Sequence, residues 1–495
     1  MRSKFLISFI CLIAIIGFAC SAWAIKAEFH GSMLNAIGTS DNAKVFSHPV
    51  KSGKTNYFSY SENYPITSPL PQGVRPPHYL NTYGQKSIKV FNSDIDRTSA
   101  QWGITKARLR FDLGTDDELA KVVYSFEVGG INWGDSNKGF GLSGDGVNVE
   151  TCFAYLQFQM PFMNNMFGKK HMVRAGLQPN KVNQWLWKET ATGFSYYGKS
   201  DSLKWQASWL RSENPGTKFN MFDSANKDDY LLAKVNWDMM PEFSVGGFVV
   251  YGALGEEPTS HGDMYNDTTY YIGVTPKIQV GAFFGNLDFI YQGGSISFKN
   301  DGGKYKSLDH SAYLGNLTLG MKVLDTLKIS VNGLYVSGDD DPWDGDAENF
   351  NSIDTDAEIG IIFFKDSYTA SADRAFSDAP YIQDKGLINL ALQGDWQVTK
   401  ANNLRAAVRY LMTAEDLEWT NGLVNQKDDE LGWEIDLWYT YKYNKNLSFR
   451  VEGAYLFAGD AAKGLVLSAP NPNDPLDLTP GDDMYYLGAG ANFKF

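Results

Sequence analysis

The sequence predicts an all-β protein: a transmembrane antiparallel β-barrel of eighteen strands, with sixteen as the next count. Three observations predict it. The last eleven residues, YYLGAGANFKF, alternate in twos between apolar and polar or small positions. Short turns and long connections alternate along the chain. No apolar stretch after residue 24 is long enough to cross a bilayer as a helix, which takes about 20 residues. One of the longest, 359–364, has six.

The chain opens with a segment that reads as an export signal. Arg2 and Lys4 precede a nearly unbroken apolar run from Phe5 to Ala19, and Ala22-Trp23-Ala24 forms an A-x-A site. Cleavage after Ala24 is expected, leaving 25–495 as one barrel domain. Gly17 stands where a lipid-attachment signal needs a Leu-like residue, so Cys20 is not read as a lipid anchor. Cys11 and Cys20 depart with the signal, and Cys152 remains without an intramolecular partner. Barrel closure, which pairs every strand edge, supplies the stability that disulfides cannot. Cys152 is expected to face lipid or a neighbour as a small apolar residue.

Composition narrows the function. The chain carries 44 Lys+Arg against 57 Asp+Glu, a net charge of −13. That is the wrong sign for a nucleic-acid surface. Aromatics are abundant, at 27 Tyr, 31 Phe and 13 Trp. In a barrel such residues form belts at the two membrane interfaces, while only the lipid-facing half of each strand has to be apolar.

The hairpins follow in order. Eight short turns are read at 114–118, 161–170, 198–201, 238–242, 284–286, 324–326, 399–403 and 444–446. The long connections lie at 38–98, 133–147, 179–192, 213–229, 254–267, 299–310, 339–386, 416–430 and 460–482. Eight hairpins, a first strand near 27–37 and the terminal strand make eighteen; the weak strand before Gly198 keeps sixteen open. Short turns on one side and long loops on the other suit periplasmic turns and extracellular loops.

Strand faces agree. Along 431–443 the outward set is Leu431, Trp433, Ile435, Leu437, Tyr439, Tyr441 and Tyr443, against Glu434, Asp436, Trp438 and Lys442 inward. Along 387–398 it is Ile388, Leu390, Leu392, Gly394, Trp396 and Val398. Along 447–457 Phe449, Val451, Tyr455 and Phe457 oppose Arg450 and Glu452. A dry protein core would have to pair every one of these charges, whereas a water-filled lumen accepts them. Alternation also places Lys106, Arg108 and Arg110 inward on the second strand and Arg405 and Arg409 inward on the fifteenth. With Arg450 on the seventeenth they gather near the closure, either as one basic arc or as local pairs such as Arg450 with Glu434 or Glu452.

Over nearly its whole length the chain resembles bacterial outer-membrane porins. The terminal strand ending on Phe495 resembles the closing strand of that family. Residues 105–111, TKARLRF, look like the basic inward ladder of an early porin strand. Residues 173–178, VRAGLQ, with Arg174, are similar to the strand before the third loop, which in porins folds into the channel. The resemblance implies a passive diffusion channel for small hydrophilic solutes in the outer membrane, in contact with lipid and lipopolysaccharide. It also implies a homotrimer without cofactor, narrowed by residues 179–193. The loop itself reads NKVNQWLWKETATG, with Lys181, Lys188 and a single acid, Glu189. It departs there from the acidic loop of cation-selective porins. A substrate-specific porin for a sugar or small organic anion is the alternative, suggested by Trp185, Trp187 and Trp343. A structural or adhesive barrel with a blocked lumen is the third reading. A coupled receptor would need an N-terminal plug domain, for which 25–98 is too short.

No enzyme is expected. The histidines His30, His48, His78, His171, His261 and His310 are scattered without metal-ligand spacing, and no Ser or Cys has a matched His. The acidic run Asp339, Asp340, Asp341, Asp344, Asp346 and Glu348 offers hard oxygen ligands for Ca²⁺ without EF-hand spacing. A solvated acidic loop is the favoured reading there, and for 470–483.

Overall fold

The structure is a computed structural model. It describes residues 25–41, 100–134, 149–163, 170–211, 229–258, 264–299, 305–341, 344, 346–355, 357–363, 379–421, 424–465 and 483–495. Residues 1–24, expected to be an export signal, Trp343, His48, His78, His261 and most of 470–483 fall outside those residues.

Nineteen strands form one sheet, and eighteen of them make a closed wall. They are β1 (Ile25–Asp41), β2 (Ala100–Thr115), β3 (Ala120–Asn132), β4 (Glu150–Gln159), β5 (Lys170–Pro179), β6 (Thr190–Lys199), β7 (Leu203–Arg211), β8 (Asp229–Met240) and β9 (Phe243–Pro258). Then follow β10 (Met264–Val280), β11 (Phe283–Lys299), β12 (Tyr305–Leu324), β13 (Leu327–Val336), β15 (Leu387–Gln397), β16 (Asn402–Asn421), β17 (Val424–Lys442), β18 (Leu447–Ala458) and β19 (Met484–Lys494). Each wall strand pairs antiparallel with its neighbour in the chain, and β19 returns to β1. The exception, β14 (Asp346–Ala347), pairs parallel with β12 through Asp309 and His310. One short helix, α1 (Asp460–Leu465), follows β18.

The terminal Phe495 helps close the wall. It exchanges backbone hydrogen bonds with Gly31, 3.0 Å from its N–H and 2.9 Å to its carbonyl. Its ring occupies the space a Cβ on Gly31 would need, so only glycine lets the ring lie against β1. Phe29 meets both Phe111 and Phe495, at 5.0 and 5.4 Å between centroids.

Alternation sorts the faces as expected. Trp433, Ile435, Leu437, Tyr439 and Tyr441 point outward and exposed, while Glu434, Asp436 and Trp438 are buried inside. Leu431 is a correction. A bulge shifts the β16–β17 register where Leu411 faces Gly432 and Met412 faces Glu430, and Leu431 turns inward and is fully buried. Gly432 sits there at φ 113°, a conformation glycine tolerates.

Seven of the eight short turns fall where expected. The eighth lies at Gly281 and Ala282, with Gly281 at φ 56°, and not at 284–286. Phe284–Asn286 already belong to β11, paired with β12. Three connections expected to be loops are largely strand. β9 and β10 run on to Pro258 and Met264, β11 and β12 to Lys299 and Tyr305, and β16 and β17 to Asn421 and Val424. The strand count stays at eighteen because these are extensions of hairpins already counted.

Candidate functional site

Two loop segments fold into the barrel and meet. The first, 180–189, joins β5 to β6. It is a narrow hairpin: Val182 donates its N–H to the Trp187 carbonyl at 2.9 Å, and Trp187 to the Asn183 carbonyl at 3.0 Å. The Asn183 side-chain oxygen accepts the Trp185 N–H at 2.8 Å, the kind of local turn Asn favours. From the inner wall, Lys234 on β8 donates to the carbonyls of Lys181 and Val182, at 2.9 and 2.6 Å.

The second segment, 346–355 with 357–363, belongs to the connection between β13 and β15. The Lys188 N–H donates to the Asp354 carbonyl at 2.9 Å, and Ile353 N–H to the Leu186 carbonyl at 2.9 Å. Ser352 and Thr355 donate hydroxyls to the carbonyls of Trp185 and Gln184, at 2.7 and 2.5 Å. His310 on β12 contacts the Asn349 carbonyl at 2.9 Å, and Gln292 on β11 accepts the Asn351 N–H at 2.7 Å. Further on, Glu434 accepts the Ile362 N–H at 2.7 Å and Asp436 the Ile361 N–H at 3.2 Å. Phe350, Ile359, Ile361, Ile362 and Phe363 are buried together with Leu186, Trp187, Leu411 and Leu456. Part of the lumen is therefore a packed apolar core.

This arrangement divides the expected pore-lining residues in two. Arg409, Glu434, Asp436, Arg450 and Glu452 point inward, yet little of them is exposed, and the inserted segment's backbone caps Glu434 and Asp436. Arg409 is 5% exposed and pairs with Asp436 at 2.8 Å; Arg450 pairs with Glu452 at 3.0 Å. Arg405 lies over the Trp438 ring, 3.7 Å from its centroid. For Arg409, Glu434 and Asp436 the expected place on an open pore wall is corrected, because inward does not mean solvent-facing where a loop covers the wall. The connection 339–386 is therefore not wholly an outer loop. Its apolar run 359–364 carries the signal in the sequence, since a solvated loop has no use for such residues.

The other group stays open to the lumen. Arg108 keeps 58% of its side chain exposed while pairing with Glu127, which Lys106 also meets at 2.8 Å. Arg110 and Lys121 share Asp112 at 2.5 and 2.8 Å. Glu189 lies within electrostatic range of Arg108. Lys181 is exposed, and Lys188 meets Glu358 at 3.0 Å. Arg174 is held by the Gln157 side chain at 3.0 Å and lies 5.3 and 5.0 Å from the ring centroids of Tyr155 and Tyr197. On β2, β3 and β5 five cations, Lys106, Arg108, Arg110, Lys121 and Arg174, thus face two paired acids, Glu127 and Asp112.

Other sequence candidates take different places. Trp185 and Trp187 are buried, at 6% and 1% exposed, so they anchor the loop and do not offer faces to a solute. Trp187 packs on Tyr230 with 4.9 Å between centroids. Cys152 sits at a bulge between β3 and β4, in the electrostatic neighbourhood of Glu127, Arg108 and Lys106, and not on a purely apolar face. Asp339 is buried beside Asp384 and Lys385, and burial together with the Asp384 charge pushes its carboxyl up to about 7. Asp341 and Asp344 form a turn, the Asp344 N–H donating to the Asp341 carbonyl at 3.2 Å, and the Asp344 carboxylate accepts the Asp346 N–H at 2.8 Å. Among the described residues no cluster of three His, Cys, Asp or Glu is arranged to hold a metal.

Fold and lumen together define a class: a closed eighteen-stranded barrel with an apolar outer belt and a charged, loop-narrowed interior. Three solved structures are similar to the chain over most of its length. OpdK of Pseudomonas aeruginosa, solved with vanillate, is 10% identical over 95% of this chain and 98% of its own, with a TM-score of 0.47. OpdO of the same organism is 10% identical over 95% and 97%, at 0.46. OmpT, an outer membrane protein of Vibrio cholerae, is 10% identical over 95% and 98%, at 0.37. No protein-family model and no curated protein matches the chain.

Proposed function

We propose that the protein is an outer-membrane porin: a passive channel for small hydrophilic solutes, biased toward anions, with no cofactor and no catalytic step. Residues 1–24 serve as its cleaved signal, the short turns face the periplasm, and the barrel works as a homotrimer. The apolar, aromatic-rich outer belt supports a membrane position. The observation that carries the channel reading is Arg108. It stays more than half exposed inside a barrel where Arg409 on β16 and Arg450 on β18 are largely covered. The path runs along β2, β3 and β5, past Lys106, Arg108, Arg110 and Arg174, opposite residues 181–189. Cations outnumber acids along it, and low-dielectric walls focus their field on a passing ion.

The test is a planar-bilayer recording of the purified protein under a salt gradient. Discrete steps with a reversal potential displaced toward the anion equilibrium value are expected; absence of any conductance from a heat-modifiable, folded barrel would overturn the reading. A second reading, selectivity for a small organic anion, is favoured by Arg174. Its guanidinium is fixed by Gln157 and two tyrosines and so is oriented before a carboxylate arrives. Saturable uptake of a carboxylate into liposomes, against linear uptake of a neutral solute of equal size, distinguishes the two.

A further inference from the structure

The short-turn mouth of the barrel carries a row of lysines that the channel path does not use. In the sheet Lys170 on β5 is directly opposite Lys199 on β6, and Lys199 is directly opposite Lys204 on β7. All three side chains are exposed. Their direction follows from the strand alternation. Lys170 shares a face with Arg174, and Lys199 with Tyr197, whose ring receives that same arginine. Lys204 shares a face with Gln206 and Ser208; Ser208 bonds Ser195 at 2.9 Å, on the Lys199 face of β6. The row therefore lines the inside of the mouth, away from lipid headgroups.

Three like charges on adjacent strands are unusual in a sheet. Side chains directly opposite one another start about 5 Å apart, and like charges in that relation destabilise the pairing. Neighbouring acids relieve the row only at its end. Lys204 meets Asp238 at 3.3 Å, while among the described residues Lys170 and Lys199 have no acid within ion-pair distance. Glu118 lies in electrostatic range of Lys170, but its carboxylate is taken by Lys26 at 2.9 Å. Asp201 stands in the adjoining turn. A second pair of opposed lysines, Lys322 and Lys328, shows the contrast: Lys328 is directly opposite Asp395, which is directly opposite Arg405, so an acid lies in register between the two cations that flank it.

We propose that Lys170, Lys199 and Lys204 form a binding site for a small multivalent anion of the phosphate type at the short-turn mouth. Three ammonium groups within reach of one another match an anion that carries two or more charges on clustered oxygens, and such an anion removes the repulsion that the sheet imposes. An ammonium acts as a point charge with rotatable donors and suits a phosphate of any orientation. The site lies at the mouth and needs no open lumen, so its failure is separate from failure of the channel reading.

The test is isothermal titration calorimetry of the purified, detergent-solubilised barrel with pyrophosphate at low salt. The parent should bind saturably. Lys199→Gln, at the centre of the row, should weaken binding at least about tenfold, and Lys170→Gln should do the same if Lys199→Gln fails to fold. Lys328→Gln, on β13 directly opposite Asp395, should bind within about twofold of the parent. No saturable binding by the parent, equal binding by a folded Lys199→Gln or Lys170→Gln barrel, or an equal loss in Lys328→Gln would overturn the site.

Discussion

Asn183 and Asp288 are 105 residues apart in the chain and joined by a 2.9 Å hydrogen bond, from the tip of the inserted loop to the inner wall on β11. The other carboxylate oxygen of Asp288 accepts the Trp185 indole N–H at 3.2 Å. One wall residue thus holds the loop at two points, and all three groups are buried. Replacing Asp288 by Ala leaves three buried donors without this acceptor, the Asn183 amide, the Trp185 indole and the Asn316 amide at 3.4 Å, at about 1–3 kcal/mol each. The eighteen-strand wall does not pass through these bonds, so the barrel should stay heat-modifiable while the loop loosens. Asp288→Ala should give noisier or larger single-channel steps than the parent. Steps identical in size and noise would show that the loop is held without this tether.

The wall was legible in the sequence because strand alternation is a property of consecutive residues. Ile435 and Leu437 declare one face and Glu434 and Asp436 the other, whatever the rest of the chain does. The filling of the lumen was not legible in that way. That Glu434 receives the Ile362 N–H depends on a contact 72 residues away, and alternation says only that Glu434 points inward. Arg409 and Arg108 read alike in sequence and differ only in what covers them. Leu431 was misplaced because one extra residue at the Gly432 bulge reverses the face, and nothing before the bulge announces it.

That difference between Arg108 and Arg409 is itself testable. Arg108→Gln removes an exposed lumenal charge and should move the reversal potential toward cations with little effect on thermal stability. Arg409→Gln should do the reverse. It leaves Asp436, 0% exposed, without its 2.8 Å partner, a loss of the kind that costs about 3–5 kcal/mol, while the reversal potential stays near that of the parent. Thermal unfolding of the two variants in detergent, read beside their reversal potentials, checks both halves. Equal shifts in reversal potential would place Arg409 on the ion path after all.

Protonation should control how the loop after β13 is docked. Asp339 donates its backbone N–H to the Asp384 carbonyl at 2.8 Å, and Lys385 donates to the Asp339 carbonyl at 2.5 Å. Burial first, and then the Asp384 charge, lift the Asp339 carboxyl to about 7; burial also raises Asp384. A carboxyl raised in the folded state holds more protons there than in the unfolded chain. The docked form is therefore favoured at low pH and loses ground as pH rises from about 4, the ordinary Asp value, through 7. Amide exchange at Asp339, corrected for the intrinsic rate, should be more protected at pH 5 than at pH 8. Asp339→Asn, which cannot ionise, should flatten the dependence. Protection that increases with pH would contradict the sign.

Cys152 offers a native probe of the lumen. It sits at the β3–β4 bulge, where Ser125 faces Phe153 and Phe126 faces Thr151, so the extra residue on β4 escapes simple alternation. Its electrostatic neighbours are Glu127, Arg108, Lys106 and Glu150; of these Arg108 and Lys106 stand on the proposed path. A membrane-impermeant, negatively charged thiosulfonate should reach the thiol through water and should react with the reconstituted barrel without denaturant. The added sulfonate would offset part of the arc's positive charge, so labelling should lower the current and move the reversal potential toward cations. Cys152→Ala should be unaffected by the reagent. A thiol that reacts only after unfolding would place Cys152 in lipid or in packing against the wall, and would remove β4 from the solute path.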